Sequence, residues 1–158
     1  MRYADTPEQR PRWRFNAAYR VMPRLQVGLE YNPVVSELVP TANWVLSTET
    51  QHSPLLSLGT SSDRIGSPVG THAYYLTIAK GFPHQHIAPY FSINYSETDH
   101  AVNYPFGVNI ALGKQWDLLP MNDGRRTHLL LTYKQKSYNV SLIAVYMRHV
   151  GISISFSF

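Results

Sequence analysis

The chain has 158 residues, of which 44% are hydrophobic, 13% aromatic and only 15% charged. This is one domain's worth of material, and its shortage of charge excludes disorder and coiled coil. Fourteen Lys plus Arg against ten Asp plus Glu give a net charge of +4. The basic residues are scattered and too nearly balanced to imply nucleic acid as a partner. With no Cys, disulfides, thiolate metal sites and Cys nucleophiles are excluded. The longest unbroken apolar run, Leu142 to Met147, is six residues, so no helix of about 20 apolar residues can cross a bilayer. Entry into a membrane would have to be by strands.

The segment from Met1 to Pro11 carries no apolar stretch of the signal-peptide kind, which predicts that an export signal, if there was one, has been removed. From Arg12 onward the rhythm is two. Trp13, Phe15, Ala17, Tyr19 and Val21 alternate with Arg14, Asn16, Ala18 and Arg20, and Pro23 and Arg24 turn the chain. Leu25, Val27, Leu29 and Tyr31 then oppose Gln26, Gly28, Glu30 and Asn32. Further stretches centre on Ala42 to Leu46, Leu56 to Leu58, Tyr74 to Ile78, Ile87 to Tyr95, Phe106 to Leu112 and Thr127 to Tyr133. Connections are expected near Ser36 to Pro40, Gln51 to Pro54, Ser61 to Gly70, Pro83 to His86, Glu97 to Asn103, Leu119 to Arg125 and Gln135 to Ser137. There is no internal repeat and no linker that would divide the chain.

From Val140 to Phe158 apolar residues hold the even positions almost without interruption, which predicts one long final strand. An apolar face that runs to the last residue needs an apolar medium, since exposing it to water costs about 25 cal/mol per Å². A bilayer supplies one. Tyr146 and Phe156 lie ten residues apart on this face, a rise of about 25 Å at a tilt near 40°, the height of the apolar band of membrane barrels. Arg148 interrupts the face but stands close enough to the interface to snorkel.

GISISFSF, Gly151 to Phe158, resembles the C-terminal targeting strand of bacterial outer-membrane β-barrel proteins, and ANWVLSTET and GTSSDRIG look like segments of predicted outer-membrane proteins of unknown activity. The resemblance implies export to the periplasm, insertion by the barrel assembly machinery, contact with outer-membrane lipid and lipopolysaccharide, and a place in the bacterial outer membrane. The expected fold is all-β, an antiparallel up-and-down transmembrane β-barrel over residues 12–158, preceded by a periplasmic extension over 1–11. At about 9 to 11 residues per crossing, the length suits eight strands, with ten as the alternative. Eight strands leave an interior just wide enough for side chains to fill. On that reading Arg12, Arg14, Arg20, Glu30 and Glu49 point inward and neutralise one another, because charges buried in this way need partners. Trp13, Tyr31, Trp44, Tyr74, Tyr95, Trp116, Tyr133 and Tyr146 become interfacial anchors.

Candidate chemistry is sparse. His84 and His86 have a chelating H-x-H spacing but stand in a Pro-bounded turn with no acidic residue near, so a solvated turn is preferred and no metal is expected. His128 is the one named base for a lipid hydrolase of the kind that needs a Ser, a His and an acid, and no H-x-S pairing accompanies it. Ser61, Ser62, Asp63 and Arg64, in the longest loop, are candidate rim residues for a ligand, glycan or partner; the plainer reading is a hairpin connection with a local Asp63 and Arg64 pair. Lys134, Lys136 and Arg148 are candidates for lipopolysaccharide phosphate. The sequence therefore favours a small, non-catalytic outer-membrane barrel with a filled interior, no cofactor and a structural, binding or assembly role, with other envelope proteins in a complex as candidate partners. The alternatives are a lipid-modifying hydrolase on the same scaffold and a soluble ligand-binding barrel, whose polar faces would lie outside.

Overall fold

A computed structural model describes residues 1–8, 10 and 12–157; the terminal Phe158 of the targeting-strand resemblance lies outside them. Alternating sequence becomes strand nearly everywhere. In chain order the strands are β1 (Arg2–Ala4), β2 (Trp13–Met22), β3 (Leu25–Asn32), β4 (Glu37–Ser47), β5 (Leu55–Ser62), β6 (His72–Ala79), β7 (Ile87–Ser96), β8 (Ala101–Asn103), β9 (Phe106–Ala111), β10 (Trp116–Asn122), β11 (Thr127–Lys134), β12 (Tyr138–Val145) and β13 (His149–Phe156). A 3₁₀ turn, Pro83–Gln85, precedes β7.

The pairing is antiparallel throughout and runs from β6 back through β1 to β13, then down to β9 and β7, which closes the ring on β6. Twelve strands form the ring; β8 pairs with β7 alone and stands outside it. The all-β antiparallel barrel is as expected, but twelve strands replace the expected eight or ten. Beyond the nine alternating stretches read from the sequence, three further strands complete the twelve. Arg2–Ala4, within the segment expected ahead of the barrel, pairs with both β13 and β2. Trp116–Asn122 is a strand where a connection was expected from Leu119. The long final strand is two, β12 and β13, hinged at Tyr146 and Met147, whose φ values of 55° and 56° are left-handed.

Ring closure between β2 and β13 passes through the three residues of β1. Among the described residues only Trp13 and Arg14 of β2 pair on that side, so the rest of the β2 edge faces no neighbouring strand. This is why β2 is exposed along almost its whole length.

Side chains divide by parity. Glu30, Asn32, Glu37, Ser92, Ser96 and His128 are buried inside, while Leu29, Tyr31, Trp44, Tyr74, Ile93, Phe106, Leu142, Val150 and Ile152 are exposed outside. On β13, Ile152 is 42% and Phe156 64% exposed, so the greasy row looks outward. Aromatics fall in two tiers. Trp13, Tyr31, Tyr74 and Tyr95 belong to the strand ends near the 63–71 loop, and Trp44, Trp116, Tyr133 and Tyr138 to the opposite ends. Tyr146 leaves this set, because its hydroxyl is directed to the Ile65 carbonyl oxygen inside the barrel mouth.

Candidate functional site: a capped lumen

The loop joining β5 to β6, residues 63–71, does not stand up from the rim but crosses the bore. β5 and β12 are six places apart around the twelve-membered ring, which puts them on opposite walls. Ile65 nevertheless packs against the cluster formed by Ala4 of β1 with Ile143 and Val145 of β12. Leu130 and Tyr146 complete this small apolar cluster, and the Tyr146 hydroxyl donates to the Ile65 carbonyl at 3.4 Å. Arg126 lies over the Tyr146 ring at 4.2 Å, a cation–π contact that holds the ring in place.

Polar groups fasten the loop along its length. Asp63 accepts from the Ser96 hydroxyl at 2.7 Å and from the Thr98 and Arg64 backbone N–H groups at 3.0 and 2.8 Å. Arg64 grips Asp99 with two donors at 2.8 and 3.2 Å, and Arg125 reaches the same carboxylate at 2.8 Å. Hydrogen bonding from Arg64, aided by the charge of Arg125, holds the Asp99 carboxyl down at about 2. Next along the loop, the Gly66 N–H donates to the Arg10 carbonyl at 2.6 Å, and the Arg10 guanidinium bonds Glu37, Ser67 and Thr71. Glu37 also accepts the Gly70 N–H at 2.7 Å. Gly66 and Gly70 take φ values of 84° and 83°, which suit glycine and let the chain fold back across the mouth.

Beneath this cap lies a cavity of about 540 Å³. Twelve strands enclose a wider bore than eight, so the filled interior expected for eight gives way to open space. Tyr75 and Tyr90 line it, each laid across a glycine on the neighbouring strand, Gly59 and Gly107 respectively. A Cβ on Gly107 would stand 2.8 Å from the Tyr90 ring, so only glycine leaves room for this stacking. Ser92, Asn94, Ser141 and Ser153 add hydroxyl and amide groups to the wall, and Arg2 and Arg14 bring charge.

The sequence-predicted residues fall differently from expectation in several places. Ser62 and Asp63 are buried, and Ser62 donates to Glu30, so with Arg64 they serve as fastenings of the cap. Ser61 lines the cavity, its hydroxyl donating to the Ser62 carbonyl at 3.0 Å. The local Asp63 and Arg64 pair is a contact to the Arg64 backbone; the Arg64 guanidinium goes to Asp99. Lys134 and Lys136 lie at the uncapped end, while Arg148 lies in the β12–β13 turn at the capped end, so the three form no common phosphate site. The reason is the turn that splits the final strand. Lys134 is moreover paired with Asp117 at 2.8 Å.

Of the five charges expected to neutralise one another within, only Arg14 and Glu30 do so, at 3.3 Å. Arg12 pairs with Asp5, Glu49 with Lys80, and Arg20 is exposed. His128 is buried with Nε2 3.1 Å from Asp123 and its ring 5.2 Å from Tyr146. Burial alone would raise the Asp123 pKa, but hydrogen bonds from His128 and from the Arg126 and Arg125 N–H groups outweigh it and leave the carboxyl below its ordinary range. Among the described residues the His128 hydrogen bond goes to this carboxylate, and no hydroxyl completes a Ser, His and acid arrangement around it. His84 and His86 stand exposed in the 3₁₀ turn region, and no group of three or more metal-ligating side chains converges among the described residues.

The cap itself escaped sequence reading. Its anchors are separated by 27 residues for Arg10 and Glu37, 35 for Arg64 and Asp99, and 81 for Ile65 and Tyr146. No spacing rule links such positions. No family of known proteins, no curated protein and no solved structure matches this chain.

Proposed function

We propose that the protein is an integral barrel of the bacterial outer membrane, a non-catalytic binding or structural component whose lumen is stoppered at one end. One observation carries the reading: the outward rows around the ring are apolar, while carboxylates, guanidinium groups and amides are turned inward. In water this distribution is inverted, because each exposed Leu, Ile or Phe forgoes about 1.5–3 kcal/mol of burial. Against acyl chains it is the stable arrangement.

The two tiers of aromatic residues add support, since rings with one polar edge prefer the interface. The outward row of β2 from Trp13 to Val21 rises about 20 Å at a tilt near 40°, comparable with an apolar band about 25 Å tall. The resemblance of Gly151 to Phe158 to a targeting strand supports the outer membrane as that bilayer, with insertion by the barrel assembly machinery. Lipid and lipopolysaccharide are its immediate surroundings. The non-catalytic reading is supported by His128, whose Nε2 faces Asp123 under the Tyr146 ring.

The test is extraction and gel migration of the full chain expressed in a Gram-negative host. Retention in the outer-membrane fraction after alkaline carbonate, with a folded form that migrates differently from the boiled one, is the expected result. A monomer released without detergent would contradict the membrane reading and favour a soluble barrel.

A further inference from the structure

We propose that the lumen contains an oxyanion site at Arg2 and Arg14, which takes a compact carboxylate or phosphate entering from the uncapped end. This goes beyond the membrane reading and does not depend on what surrounds the barrel.

The register creates the site. Arg2 of β1 and Arg14 of β2 are direct cross-strand partners, both on the inward face and both lining the cavity. Like charges placed opposite one another in an antiparallel pair repel. One carboxylate stands beside the pair and bonds only one of them: Glu30, 3.3 Å from Arg14, whose other oxygen accepts the Ser62 hydroxyl. The remaining charges nearby are already committed. Arg64 and Arg125 share Asp99, Arg10 holds Glu37, Asp63 is taken by Ser96 and Thr98, and Asp123 by His128.

Three guanidinium nitrogens are left over. Nε and Nη2 of Arg2 and Nε of Arg14 are buried and have no hydrogen-bond partner among the described residues. The Nε and Nη2 groups of an arginine form the side of its planar fork that binds a carboxylate or phosphate through two parallel bonds. A buried guanidinium with that edge unused carries a desolvation penalty that an anion would relieve. Both side chains line a cavity of about 540 Å³, within the range of small-molecule pockets, toward which their unused edges must turn to meet an anion. The Ser141 hydroxyl lines the same space and can donate to a further oxygen while it accepts from Thr132, 2.9 Å away; the Ser153 hydroxyl is donated to the Met1 carbonyl at 3.3 Å. Arg20, exposed and on the same parity of β2 as Arg14, puts positive charge on the approach from the uncapped end.

The experiment is isothermal titration of the full chain, folded in neutral detergent, with inorganic phosphate and, separately, acetate. Saturable one-to-one binding of at least one of the two is expected, weakening as sodium chloride is raised. Arg2→Gln should weaken it at least tenfold without lowering the temperature at which the folded gel form is lost, since the substitution removes a repulsion. Arg14→Gln gives a second test of the same site, with the same tenfold loss, and Arg148→Gln, at the capped end, should leave binding unchanged. Absence of saturable binding for both anions, equal binding by Arg2→Gln, or loss of binding in Arg148→Gln would overturn the assignment.

Discussion

The Tyr146 hydroxyl and the Ile65 carbonyl meet at 3.4 Å although their strands stand on opposite walls of the barrel, so a single hydrogen bond reports that a loop spans the bore. Ile65 could not reach β12 if the 63–71 segment projected outward. The cap is therefore a tertiary element with its own apolar contacts and ion pairs, and it divides the molecule into a sealed end and an accessible one.

Asp99 is the fastening most open to test. Its pKa is depressed to about 2 in the folded chain, below an unfolded value near 4, so its contribution is complete above that unfolded value and is lost as pH falls toward 2. A spin label on Ile65→Cys, in a chain with no native Cys, should be immobile at pH 5 and gain mobility on approach to pH 2. Asp99→Asn should show that mobility already at neutral pH. It should also speed tryptic cleavage after Arg64 by about tenfold, the effect of about 1.4 kcal/mol in the opening equilibrium.

Leu142 and Val145 lie three residues apart on β12 and point to opposite faces of the wall. Leu142 is 54% exposed and Val145 is 1% exposed beneath the cap. Leu142→Arg should impair assembly into lipid bilayers by about 2–4 kcal/mol, as a charge does near the midplane of a barrel wall. Val145→Ala should leave assembly intact but lower folded stability by about 1–3 kcal/mol through the space it leaves against Ile65 and Ala4. Urea titrations in vesicles separate the two effects.

Gly59 makes way for the Tyr75 ring, and a Cβ there would overlap both the Tyr75 hydroxyl group and the Ala42 carbonyl oxygen. Because backbone cannot withdraw as a side chain can, Gly59→Ala should cost about 1–3 kcal/mol. The reciprocal change Tyr75→Ala should enlarge the lumen. Thermal loss of the folded gel form reads the first, and the rate of entry of a small polar dye reads the second.

In planar bilayers the intact barrel should show no steady ion conductance, since the cap and the Ala4, Ile143 and Val145 cluster close one mouth. Deletion of residues 64–70 with a short Gly-Ser replacement should give discrete conductance steps. Equal conductance of the two chains would count against the cap as a stopper.

What the sequence made legible was parity. Nearly every strand with period-two alternation was visible in it, and so was the outward direction of Leu29, Tyr31, Ile152 and Phe156. Parity is also why the last hairpin was misread. The turn from Tyr146 to Arg148 has three residues, so Leu142 and Ala144 on β12 and Val150 and Ile152 on β13 are all even-numbered and all outward, and the alternation passes through the turn unbroken. The turn also lacks Gly, Pro, Asn and Asp, and takes left-handed φ values at Tyr146 and Met147. β10 was hidden by the adjacent Leu118 and Leu119, which spoil the alternation, and by Pro120. β1 was hidden by its length of three residues. Those omissions lowered the strand count, and the low count produced the expectation of a filled interior. The cap was illegible for a different reason, because its contacts join positions with no local pattern between them.

The most direct test of which face meets lipid uses the absence of native Cys. Single spin labels at Ile152→Cys and Ser153→Cys in the vesicle-inserted chain can be read for collision with oxygen, which concentrates in hydrocarbon, and with a water-soluble nickel chelate. The label at 152 should be accessible to oxygen and shielded from nickel, and the label at 153 should show the reverse preference. Nickel accessibility at 152 equal to or above that at 153 would contradict a barrel whose apolar rows face acyl chains.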